Sequence, residues 1–317
     1  MNAPLPWLAP YRTLPFVGEV LVPGSKSLTN RVLILAALGD GPSVLTRPLG
    51  SRDTNLMSAA LIALGATIDR DGIVWTVTPT TLDLAEPTTV DCGLAGTVMR
   101  FVPAIAALTS AAVTFDGDEH ARKRPMGTTI EALRLLGVTV DDEGRGALPF
   151  VVRGSGHVAG GPIEVDASSS SQFVSALLLV GARFEKGLDL RHVGGTLPSM
   201  PHIEMTVAEL RRRGVRIDTD EPNRWLVHPG PIAALDVEIE PDLSNAGVFI
   251  AGALVTGGSV RIRNWPEPTD QAGDAWRDIV PAFGGTVEQD GADLVFAAGS
   301  TLAGVDLDLH DVGELTP

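Results

Sequence analysis

Cysteine, lysine and long apolar runs are what this chain of 317 residues has least of. Its single cysteine, Cys92, excludes an internal disulfide and any cysteine-based metal cluster. The six histidines show no H-x-x-x-H spacing, so a histidine metal site is not expected either. No uninterrupted apolar stretch approaches the ~18 residues of a membrane helix. The opening MNAPLPWLAPYRTLPFVGEV lacks the basic segment, apolar core and cleavage site of a secretory signal, and a cytoplasmic location is expected. Positive charge is scarce too. Lys and Arg number 24 against 39 Asp and Glu, a net −15 that opposes phosphate-backbone binding and so argues against a nucleic-acid partner.

What cationic charge there is comes almost entirely as arginine; only Lys26, Lys123 and Lys186 are lysines. Lysine, a compact ammonium, is not interchangeable with the arginine fork, so its use at one place suggests a need there. Lys26 stands in VPGSKSLTNRVLILAAL, a Gly-Ser run leading into an apolar helix. The free N–H groups and positive dipole end of a helix start attract anions. Gly24 allows close backbone approach, Lys26 adds full charge, Ser27 and Thr29 offer hydroxyls, and Arg31 follows five residues after Lys26. A plainer alternative has Ser27 or Thr29 capping a core helix with Lys26 in water. The run also lacks the G-x-x-x-x-G-K-[ST] spacing of a nucleotide P-loop.

An internal repeat is the strongest signal. LIALGATI, LRLLGVTV, LRRRGVRI and VPAFGGTV place Gly65, Gly137, Gly214 and Gly284 just past a helical pattern and before a strand, at intervals of 72, 77 and 70 residues. Small polar helix starts interleave with them from Gly24, Gly93, Ser168 and Asp242. Both series describe a βαβ-rich unit containing two helices and several strands. The tail DVGELTP reads as a fifth helix start that ends at Pro317 before one turn is complete, so the chain is expected to be C-terminally truncated. EHARKRPMG adds a basic cluster of Arg122, Lys123 and Arg124 ahead of Pro125.

In this order, PGSKSLTNR, GLAGTVMRF, RKRPMGTTIEALRLLG, SSSSQFVSALLL, NRW and VGELTP resemble the 5-enolpyruvylshikimate-3-phosphate synthase family over essentially the whole chain. The resemblance implies a mixed α/β fold. Two domains, each an inside-out αβ barrel of three βαβαββ units, would face each other across an active-site cleft. Residues 20–238 would form the complete domain, on the shikimate-phosphate side; residues 1–19 with 239–317 would form part of the second, with crossovers near 20 and 238 as hinges. Six such units need about 430 residues, in keeping with truncation. The implied reaction transfers the enolpyruvyl group of phosphoenolpyruvate to the 5-hydroxyl of shikimate 3-phosphate and releases phosphate, with no metal or organic cofactor. It belongs to aromatic amino-acid biosynthesis, and family members are usually monomeric.

By resemblance, Lys26, Ser27, Arg31, Ser170, Ser171, Gln172 and Ser199 hold shikimate 3-phosphate. Lys26, Gly96, Arg124 and Gln172 face phosphoenolpyruvate, with Lys26 also a proton carrier. Glu314 takes the proton of the 5-hydroxyl; without the family it is only an acidic residue near a helix start. Four positions depart from the common pattern: Leu94 for Asn, Phe101 for Pro, His202 for Tyr, and Glu314 for Asp. A Cβ on Gly96 is expected to crowd the phosphoenolpyruvate pocket and so to lower glyphosate sensitivity. Among rivals, a UDP-N-acetylglucosamine enolpyruvyl transferase expects Asn after the first Lys and a cysteine in the basic loop, where Ser27 and Arg122 to Arg124 stand. Net charge opposes an RNA 3′-phosphate cyclase. A phosphate-binding fragment without turnover remains the alternative.

Overall fold

The computed structural model describes residues 14–316. Positions 1–13 of the segment assigned to the second domain, and Pro317, lie outside the described residues. After β1 (Val17–Val20) the chain runs through three similar units. The first holds α1 (Lys26–Ala37), β2 (Ser43–Thr46), α2 (Arg52–Ala63), β3 (Thr67–Asp71) and β4 (Val74–Thr78). The second holds β5 (Thr88–Asp91), α3 (Gly96–Ala106), β6 (Ala112–Asp116), α4 (Gly127–Leu135), β7 (Thr139–Asp141) and β8 (Phe150–Arg153). The third holds β9 (Gly161–Val165), α5 (Gln172–Gly181), β10 (Leu188–His192), α6 (Met200–Arg212), β11 (Ile217–Asp218) and β12 (Arg224–Val227). Then follow β13 (Val237–Glu238), α7 (Leu243–Val255), β14 (Ser259–Ile262), α8 (Trp276–Ala282), β15 (Thr286–Asp290) and β16 (Asp293–Ala297).

Each unit makes a four-stranded sheet of one design. Its first strand pairs parallel with its second, the second antiparallel with the fourth, and the fourth antiparallel with the third, as in β5-β6-β8-β7. Strand burial alternates, as in β9, so each sheet has one face on the core and one in water. The four repeat glycines, Gly65, Gly137, Gly214 and Gly284, all have φ between +75° and +93°, the left-handed helix stop that the sequence repeat implied.

The first and fourth sheets exchange their leading strands. β1 precedes the first unit yet pairs with β14, while β13 precedes the fourth yet pairs with β2. Two crossings result, at residues 21–25 and 239–242, and they lie side by side: Ser25 N–H donates to Glu240 O at 2.8 Å and Asp242 N–H to Pro23 O at 2.8 Å. Gly24 is held here, where a Cβ would come within 2.3 Å of Arg47 O; its close approach is to backbone. Two hydrophobic cores follow the exchange. The larger joins buried residues from Leu28 to Ile239, the smaller joins Val22 with residues from Leu243 to Phe296.

At the centre of the larger core lie α1, α3 and α5, apolar on nearly every side and buried on nearly every side, as in Val32 to Ala37 and Phe173 to Gly181. Their first turns are tied together. Asn30 Nδ2 donates to Thr97 Oγ1 at 3.0 Å, and Arg100 Nη1 to Gln172 Oε1 at 2.7 Å. Packing thus lays three helix starts side by side. No described helix is long and apolar enough to cross a membrane.

Candidate active site

The helix starts meet at the seam between the two cores. α1 begins with Ser25 as its cap, the hydroxyl accepting from Leu28 N–H at 3.4 Å. Lys26 N–H donates to Asp242 Oδ2 at 3.1 Å, while Oδ1 of the same carboxylate caps α7 through Asn245 N–H at 3.0 Å. One anion therefore sits between two positive helix ends, a favourable placement. By contrast no N-cap side-chain bond is made at α3, α5 or α6 among the described residues, although the first amide of α5, Gln172 N–H, finds Ser170 Oγ.

Around Lys26 the seam gathers groups from four elements. Ser27 Oγ lies 3.5 Å from His202 Nε2, which lies 3.4 Å from Glu314 Oε1; Ser244 of α7 donates to that oxygen at 3.1 Å. Lys26 Nζ is 3.8 Å from Asp53 Oδ2 and remains half exposed. Burial, then Arg31 and Lys26, push His202 down to about 3, so the imidazole is neutral at physiological pH. Its 3.4 Å approach to Glu314 is therefore not an ion pair.

Glu314 Oε2 is buried without a hydrogen-bond partner among the described residues. Desolvation raises its carboxyl above the usual range; Ser244, Arg31 and Lys26 pull the other way, and Asp242 adds to the rise. A carboxyl raised on folding favours the protonated folded state, so its stabilising contribution is whole in acid and disappears as pH climbs through the raised value. Glu314→Gln is therefore expected to match the wild type at pH 4 and to exceed it in urea midpoint at pH 8. A midpoint difference that stays constant between the two pH values would remove this assignment.

Arg31 takes a different place from Lys26 and Ser27. Its side chain is fully enclosed: Nε donates to Thr206 Oγ1 at 2.7 Å, Nη1 to Ser27 O at 2.9 Å, and Nη2 to His202 O at 2.9 Å and Ser175 Oγ at 3.4 Å. The guanidinium stands 5.4 Å from the centre of the Phe101 ring, and burial lowers it to about 10. Arg31 is enclosed between α1, α5 and α6 and holds them together.

The second cluster surrounds the start of α3. Arg124 Nη1 donates to Leu94 O at 3.0 Å, and a Cβ on Gly96 would come within 2.9 Å of its Nη2. Arg100, lowered to about 10 by burial and then by Arg124, donates to Gln172 and lies over the Phe173 ring at 5.1 Å. Ser170 Oγ accepts from Gln172 N–H at 3.3 Å; Ser171 is buried. Ser199 opens α6 with a left-handed φ of 53°, three residues before His202.

Several partners escaped the sequence reading. Asp53 and Thr206 lie in no motif, while Ser175 and Arg100, inside SSSSQFVSALLL and GLAGTVMRF, and Ser244, just past the helix start at Asp242, were given no role there. Asp242 was legible as the head of the fourth unit; its second bond, to Lys26, depends on the strand exchange.

The known proteins this chain resembles agree with one another. Its residues 11–317 match the family model described as EPSP synthase (3-phosphoshikimate 1-carboxyvinyltransferase). A 3-phosphoshikimate 1-carboxyvinyltransferase of Kocuria rhizophila is 52% identical, the match spanning 98% of this chain and 72% of that protein. One from Mycobacterium ulcerans is 50% identical, spanning 100% and 74%. A solved structure of EPSP synthase from Acinetobacter baumannii superposes with a TM-score of 0.76 at 25% identity, over 95% of this chain and 68% of that one. Repeated four-stranded sheets, convergent helix starts and these matches lead to one assignment: the chain belongs to the EPSP synthase family.

Proposed function

We propose that the chain transfers the enolpyruvyl group of phosphoenolpyruvate to the 5-hydroxyl of shikimate 3-phosphate, releasing phosphate. The observation that carries this reading is the meeting of Lys26 and Ser27 with Glu314, whose Oε2 is buried and unpartnered, at the seam between the two cores. A buried acceptor oxygen with no donor among the described residues, in the field of an ammonium, suits a substrate hydroxyl. Glu314 takes the 5-hydroxyl proton as that oxygen bonds to C2 of phosphoenolpyruvate, whose methylene carbon gains a proton with Lys26 as carrier. The tetrahedral adduct then loses phosphate while the new methyl gives a proton back. The starts of α3, α5 and α6, with Ser170, Ser171 and Ser199, supply anion donors for the phosphate of the acceptor; Arg124, Gly96 and Gln172 line the phosphoenolpyruvate side. The two cores are read as the family's two domains, 20–238 and 1–19 with 239–317, which close on the paired crossings. Phosphate release by the purified chain, with both substrates present, tests the proposal; binding of neither substrate sinks it.

A second reading, binding without turnover, is favoured by α7. This helix is apolar all round, yet Val248 and Val255 are 72% and 76% exposed, so the smaller core covers it on one side only. Binding of shikimate 3-phosphate with no phosphate release selects this reading.

Gly96→Ala follows from the Arg124 geometry. The added methyl meets the flexible end of an arginine, so stability is expected to hold while the guanidinium swings off the helix start. Phosphoenolpyruvate affinity is expected to fall about tenfold, the worth of one charge-assisted hydrogen bond, and glyphosate binding with it. Calorimetric titration with each ligand checks this, and unchanged affinity for both removes the role given to Arg124.

A further inference from the structure

Two loops of the third unit, residues 166–171 and 193–199, carry the serines read above as phosphate donors. One side chain that has no part in that reading joins them. His192 ends β10 and is 6% exposed. The buried Ala167 N–H donates to its Nδ1 at 3.2 Å, and its Nε2 lies 2.7 Å from Gly195 O. An amide can only donate and a carbonyl can only accept, so one tautomer serves both: Nδ1 bare, Nε2 protonated. Val165 O also lies 3.3 Å from Nδ1, but it already accepts from Val193 N–H at 3.0 Å.

The connection closes on itself. Gly195 N–H donates to Ser168 Oγ at 2.8 Å, and Ser168 Oγ donates to Asp166 Oδ1 at 2.6 Å. Ala167 O accepts from Ser170 N–H at 3.0 Å, so the bend that presents Ser170 and Ser171 hangs from the same residue that His192 holds. The loops press so closely that a Cβ on Gly194 would lie 2.5 Å from Asp166 Oδ1.

We propose that His192 is a positioning residue: through its Nε2-protonated ring it fixes the Ser170–Ser171 bend against the loop leading to Ser199 and so sets the spacing of the phosphate donors. The proposal rests on the reading of those serines given above. Losing the ring leaves the Ala167 amide buried without an acceptor, and buried unpaired groups relax by moving.

His192→Leu removes both bonds at similar volume, and His192→Gln offers a carboxamide with one acceptor and one donor. Calorimetry with shikimate 3-phosphate, well below each melting midpoint, is expected to show about a tenfold loss for His192→Leu and most of it recovered in His192→Gln. Exchange of the Gly195 amide, which does not touch His192, is expected to quicken in His192→Leu and to slow again in His192→Gln. Wild-type affinity in His192→Leu, or equal loss in both variants, overturns the proposal. Should the wild type bind no shikimate 3-phosphate, the functional reading fails instead, and Gly195 exchange decides His192 alone: an unchanged rate in His192→Leu refutes it.

Discussion

Arg31→Leu is expected to lower the free energy of unfolding by about 3–5 kcal/mol, the cost of breaking a buried, hydrogen-bonded charged group. Burial alone does not set this figure. The guanidinium serves Thr206, Ser27 O, His202 O and Ser175, acceptors on three helices, and stands over the Phe101 ring. Leucine removes every charged donor at once; His202 O keeps Thr206 Oγ1 and Thr206 keeps Ser175, so the loss falls on the charge-assisted bonds themselves. Among the described residues no carboxylate lies within 4.0 Å of Arg31; Glu314 and Glu209 help it only from further off. Urea unfolding at neutral pH reads the change, and a loss below about 1 kcal/mol would show that the site collapses onto the shorter side chain.

Lys26→Met is expected to act in the opposite sense, weakening binding without touching stability. Lys26 is half exposed and its one ion pair among the described residues, to Asp53, spans 3.8 Å, so its removal costs the fold about 0–1 kcal/mol. A charge-assisted hydrogen bond to a phosphate dianion contributes about 1.5–3 kcal/mol, so shikimate 3-phosphate affinity is expected to drop roughly 10- to 150-fold. Lys26→Arg keeps the charge but extends it as a planar fork, and is expected to recover only part. Titration calorimetry on the three proteins separates these outcomes. Affinity within threefold of wild type in Lys26→Met would place the anion elsewhere.

The repeat was legible because its marks are local. A glycine that must take positive φ after a helix, as at Gly65, Gly137, Gly214 and Gly284, writes its conformation into the residue itself. Helix starts at Gly24, Gly93, Ser168 and Asp242 were legible for the same reason. What stayed hidden depends on partners far along the chain. The family resemblance puts Arg31 among the ligand contacts; packing against α5 and α6 encloses its side chain. Phe101 reads as a packing substitution and turns out to lie beside a buried cation. His192 has no signature at all, because its meaning is the Ala167 amide and Gly195 carbonyl that two loops bring to it.

The exchange of leading strands sets an order of assembly. Val17 pairs with Ser259, 242 positions later, while Val237 closes a sheet begun at Leu45. At about 5–20 residues per second, a ribosome needs some 10–50 s to make the stretch between the first pair. During that interval the earliest strand has no ladder to join, and the larger core can finish only when its last strand emerges. Long-range pairing of this kind is slow. β1, first among the described strands, is thus among the last of them to be seated.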